Sequence, residues 1–159
     1  MYKYILFYKI FDWRYVKLFI LDDNESFYDS DKQKEIEKEI QKFSTTLQKN
    51  IITKINTYLK NVNESNYEVE EPENFTAYGA LIKNEANCNG IIEAFGAILT
   101  ELNFQFQIID FKNSEFIGIK VNNTIYSPYV EKLCERNSIN FEDWIKSHSL
   151  NVFKKVSIS

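Results

Sequence analysis

The apolar residues of this chain change their period along its length, and that change limits the folds open to it. Ile36, Ile40, Phe43, Leu47, Ile51, Ile55, Tyr58 and Val62 recur at spacings of three and four, the stripe of an α-helix. Charged residues such as Lys34, Glu37, Lys38 and Lys49 fall off the stripe. Ahead of it, residues 2–10 and 13–21 partly alternate and are rich in aromatic and β-branched side chains (Tyr2, Tyr4, Leu6, Tyr8, Ile10; then Arg14, Val16, Leu18, Ile20). Residues 1–21 therefore read as a β-hairpin turning near Asp12, and 31–62 as one long helix, or two if it breaks near Ser44-Thr45-Thr46. Ser30 and Gln33 have the spacing of a capping box at its start. A coiled-coil dimer would use such a stripe, but the four-residue step from Leu47 to Ile51 breaks the heptad and favours packing within the domain.

The acidic stretch NVNESNYEVEEPEN reads as a solvated loop. A second helix follows, with Cys88, Ile91, Ile92, Phe95, Leu99 and Leu102 on one face and Ala94, Gly96 and Ala97 allowing close packing. Strands are expected at Phe104–Asp110, Glu115–Val121 and Thr124–Tyr126, the last two joined by a tight Asn122-Asn123 turn. Pro128 ends that hairpin. Residues 129–136 and 140–148 read as helices, the second capped by Asn140, and Val152–Ile158 as a tail strand. No repeat or linker divides the 159 residues, so 1–159 is expected to be one α+β domain.

The formal charge of −4 argues against a whole-domain grip on nucleic acid or an anionic membrane. Lys3, Lys9, Asp12, Arg14 and Lys17 interrupt the apolar N-terminus, so it predicts neither a membrane span nor a signal peptide. Two cysteines, Cys88 and Cys134, are too few for a disulfide framework and suit a reducing, cytoplasmic setting. No metal or cofactor is expected. Cys88, Cys134 and His148 have no metal-ligand spacing, and no glycine-rich phosphate loop is present.

Cys88 opens the second helix, where first-turn amides favour an anion and can activate a thiol or hold an oxyanion. Gly90 removes a side chain beside the sulfur, which would let a substrate carbonyl approach. The competing reading is that Cys88, on the apolar stripe, is a small buried hydrophobe.

The stretch from Ile55 to Ile109 resembles the core of the transglutaminase-like superfamily of the papain-like cysteine protease fold. The resembling features run in order: Tyr58-Leu59, Tyr67, Thr76-Ala77-Tyr78-Gly79 before a short strand-like turn, Cys88-Asn89-Gly90, Glu93-Ala94-Phe95, then Leu102 and Phe104. More weakly, the core extends over 75–129, with 129–159 as C-terminal helices and tail. The resemblance implies a central helix starting at Cys88 on an antiparallel sheet, a nucleophilic cysteine, a histidine base on one strand and an acid on the next. With Tyr126 placed on the family's aromatic, the histidine slot falls on Ser114 and the acid slot on Tyr129, and neither residue serves at neutral pH. Phe116 stands for the family's Trp, and Ile92 for a usual small residue. Glu115 neighbours the empty slot but faces the other side of a strand.

The expected function is therefore that of a degenerate transglutaminase-like domain, a pseudoenzyme that binds a peptide or protein. The implied groove would hold Tyr78, Gly90, Ser114, Phe116 and Tyr129. One alternative is an active cysteine hydrolase or acyltransferase using Cys88 with a non-standard base, His148, the one histidine of the chain. The other is a structural or assembly subunit built on the long helix and the aromatic hairpin.

Overall fold

The computed structural model describes residues 30–44, 48–65, 72–148 and 150–156. The hairpin expected over 1–21 lies outside them. The architecture is mixed α+β.

The long apolar stripe forms two helices, α1 (Ser30–Ser44) and α2 (Gln48–Lys60). Ile36, Ile40, Phe43, Ile51, Ile55 and Val62 are buried as their spacing requires. Tyr58 is not: it is 38% exposed, and Leu59 takes its place in the core. The stripe in α2 advances by fours from Ile51 through Ile55 to Leu59, which leaves Tyr58 at its edge, packed edge-on against Phe43 at 5.4 Å.

The stretch read as a solvated loop holds structure. Strand β1 (Asn63–Glu64) pairs in parallel with β2 (Glu85–Ala86), and Pro72–Phe75 forms a 3-10 turn. The strand-like turn expected after Tyr78 is a π-helical turn, Gly79–Lys83, closed by Asn84 in the left-handed region at φ 56°. Only then comes the short β2. Helix α3 (Cys88–Glu101) starts at Asn87, whose side chain accepts from the Gly90 amide. It is buried almost all round rather than on one face, since Cys88 and every residue from Gly90 to Leu99 are buried. A helix enclosed on all sides needs no polar face, and CNGIIEAFGAILTE has almost none.

A four-stranded sheet follows, β3 (Phe106–Phe111), β4 (Ile117–Val121), β5 (Thr124–Tyr126) and β6 (Leu150–Val156), in the order β5-β4-β3-β6 with antiparallel pairs throughout. Helices α4 (Pro128–Arg136) and α5 (Phe141–Ser147) lie between β5 and β6 in the chain. Alternate strand residues face opposite ways. Ile108, Ile117, Ile119 and Val121 therefore join the main core with α3, whereas Ile109 and Phe111 join a second cluster with Cys134 of α4 and Trp144 of α5. The sheet has α3 on one face and α5 on the other.

The β4–β5 turn matches its sequence: Asn122 and Asn123 both have positive φ, 49° and 65°, as a type I′ hairpin demands. Asn123→Gly is expected to leave stability unchanged or raise it, and Asn123→Val to cost about 1–2 kcal/mol in urea unfolding, because a β-branched residue resists that conformation. Among the described residues, no helix is long and apolar enough to cross a membrane.

Candidate functional site

Cys88 is 5% exposed. Its Sγ lies 3.7 Å from the backbone carbonyl oxygen of Ile117, the first residue of β4. A carbonyl only accepts, so the contact suits a sulfur that keeps its proton. The Ser127 hydroxyl donates to the same oxygen at 2.9 Å. Ser127 is fully buried just before α4, and its amide donates to Glu131 Oε2 at 3.1 Å. Glu131 Oε1 in turn accepts from Asn56 Nδ2 of α2 at 3.2 Å. Burial pushes the Glu131 carboxyl above its ordinary value, opposed by the bonds from Asn56 and Ser127. A polar chain thus runs from the sulfur, through a strand carbonyl and a hydroxyl, to a half-buried acid. It contains no imidazole.

The residues expected around the sulfur are dispersed. Ser114 sits in the β3–β4 turn, where its hydroxyl donates to the Phe111 carbonyl at 2.9 Å and accepts from the Phe116 amide at 3.2 Å. The residue that reaches the strand carbonyl beside Cys88 is Ser127, two positions before Tyr129. Tyr129 is only 5% exposed and packs on Phe116 with ring centroids 5.6 Å apart, so it is a core residue rather than an open contact surface. Tyr78 turns to α1, where its hydroxyl meets Glu35 at 3.3 Å.

Gly90 does not open the sulfur to substrate. A Cβ there would lie 2.3 Å from the Asn74 carbonyl oxygen, 3.0 Å from Ala86 Cβ and 3.1 Å from the Thr76 carbonyl oxygen. The missing side chain makes room for the protein's own backbone. The Gly90 and Ile91 amides are also engaged, by the Asn87 side chain at 3.0 Å and the Asn87 carbonyl at 3.0 Å.

His148 caps the C-terminus of α5. Its Nδ1 lies 2.7 Å from the Trp144 carbonyl and 2.9 Å from the Ser147 hydroxyl, and its ring stacks on Trp144 at 3.9 Å. Trp144 meets Phe111 edge-on at 4.8 Å, within the cluster on the sheet face away from α3. The imidazole and Cys88 therefore belong to opposite faces. Cys134 is buried in that second cluster, and burial, then the Glu131 and Glu135 carboxylates, push its thiol up.

Glu93, named in the sequence only as part of a resembling string, is the most perturbed acid described. It is 6% exposed on α3, and burial raises its carboxyl to about 8 against the opposing hydrogen bond from the Ala77 backbone. Its signal was an acid lodged between Ile92 and Ala94 in a helix with no polar face. Ser127 carried no such signal, since serine before proline marks many helix starts. A cleft of about 470 Å³ runs along the solvent side of α2, lined by Asn50, Thr53, Lys54, Thr57, Tyr58 and Asn61. Among the described residues, no three acids, histidines or cysteines gather as metal ligands.

A scan against protein-family models, a search of curated proteins and a search of solved structures each return no match.

Proposed function

We propose that this chain is a non-catalytic domain with a transglutaminase-like core that acts by binding a peptide or another protein. One observation carries the reading. The sulfur at the start of the central helix faces the backbone of a neighbouring antiparallel strand, and the group sharing that carbonyl is the Ser127 hydroxyl. The Cys-on-helix arrangement is that of a nucleophile, but the chain of carbonyl, hydroxyl and carboxyl that runs from it to Glu131 holds no imidazole. A neutral serine hydroxyl is too weak a base to deprotonate a thiol at neutral pH. His148 lends no support to the hydrolase alternative, because its ring stacks on Trp144 in the second cluster whereas Cys88 belongs to the main core.

Two assays on the full chain test the reading. In the first, the protein meets a glutamine-containing peptide with a primary amine, and separately a p-nitrophenyl ester. Wild type and Cys88→Ala are expected to give the same background, and turnover that vanishes in Cys88→Ala overturns the proposal. In the second, a displayed library of random peptides is panned against the chain. Enriched peptides should bind Cys88→Ala as well as wild type, whereas a library that yields no binder counts against the peptide-binding module.

A further inference from the structure

Asn89-Gly90 is the single asparagine–glycine bond of the chain, and it lies in the first turn of α3. Such a bond is chemically labile, because glycine brings no Cβ to shield its nitrogen. The glycine amide nitrogen loses its proton and attacks the asparagine Cγ. A new N–Cγ bond forms, and the side-chain amide takes up that proton and leaves as ammonia. Water then opens the five-membered succinimide at either carbonyl. One product is aspartate. The other is isoaspartate, in which the main chain runs through Cβ and is longer by a carbon. The fold cannot remove this lability by replacing the glycine, since a Cβ at position 90 would lie 2.3 Å from the Asn74 carbonyl oxygen.

We propose that Asn89 is a latent deamidation site, closed in the folded chain and opened by unfolding, whose isoaspartyl product does not return to the fold. Three features close it. Asn89 is inside α3, and ring closure requires it to leave the helical ψ of about −42°. The Gly90 N–H donates to Asn87 Oδ1 at 3.0 Å, so a deprotonated nitrogen would face an oxygen lone pair. The first turn is also held on both sides of the bond. Cys88 and every residue from Gly90 to Leu99 are buried, and the Ile91 amide donates to the Asn87 carbonyl at 3.0 Å. The same packing rejects the isomer. A longer chain before Gly90 displaces that residue, and the Asn74 carbonyl, the Thr76 carbonyl and Ala86 Cβ leave it no room. Plain aspartate keeps the backbone, and a negative charge in the first turn suits a helix N-terminus. The damage therefore lies in the added carbon and not in the charge. This lability is independent of the binding function.

Ageing of the full chain in mildly alkaline buffer, with and without concentrated urea, tests the proposal. Conversion at Asn89 is read by peptide mass spectrometry as a gain of one dalton, with fragmentation separating isoaspartate from aspartate. The native chain is expected to convert at least roughly 1,000-fold more slowly than the urea-held chain, since only its unfolded fraction reacts. A smaller ratio would show the bond reacting within the folded chain and overturn the proposal, as would an Asn89 that survives in urea. The urea-aged chains are then refolded by dilution and separated by size exclusion. Isoaspartate at 89 is expected only outside the native fraction, and its presence there in the aged sample's proportion refutes the idea. Two variants locate the damage. Asn89→Asp is expected to fold as wild type does, and its failure would assign the harm to the charge. Asn89→Gln, aged alike, is expected to keep its refolding yield, and an equal loss would place the lesion elsewhere. Either contrary result overturns the proposal.

Discussion

Gly90→Ala is expected to destabilise the domain by about 3 kcal/mol or more, the upper end of what overpacking does. The added methyl would sit 2.3 Å from the Asn74 carbonyl oxygen, far inside contact distance, with the Thr76 carbonyl and Ala86 Cβ closing the other sides. Both carbonyls are backbone, and the Asn74 oxygen already accepts from the Asn87 amide, so neither moves away cheaply. The same methyl would leave stability nearly unchanged, and affect only a reaction, if the glycine faced a substrate channel. Urea unfolding of the variant separates the two.

Phe95→Ala is expected to cost about 4 kcal/mol, with the denaturant slope unchanged. Phe95 has no exposed surface, lies midway along α3 and meets Tyr126 of β5 at 5.8 Å. It joins the central helix to the sheet, and little around it can collapse to fill the hole. A loss below about 1 kcal/mol, the scale of a surface substitution, would mean that α3 does not run through the core as described.

The sequence carries local information well and distant contacts poorly, and particular residues mark the boundary. The Asn122-Asn123 turn, the Asn140 cap and the start of a helix at Cys88 all depend on neighbours a few positions apart, and each appears where its pattern lies. Gly90 is different. A glycine that admits a substrate and one that admits the carbonyl of Asn74, sixteen positions earlier, look the same in a string of letters. Tyr129 reads as a groove aromatic until Phe116 is found packed on it. Ser127 replaces Tyr129 beside β4 because Pro128 starts α4 at once, which turns the chain before Tyr129 can extend the strand. Glu93 was visible as an acid in an apolar helix, but its weight depends on how completely the fold buries it.

The thiol itself gives the most direct test of whether Cys88 is a core residue without a base. Native full-length protein is treated with iodoacetamide at neutral pH, and labelling is read at each cysteine by peptide mass spectrometry. Cys88 is expected to react at least roughly 1,000-fold more slowly than an unstructured cysteine peptide, and to speed up with urea in step with global unfolding. Labelling of native Cys88 faster than the free peptide would reveal an activated thiolate and contradict the account.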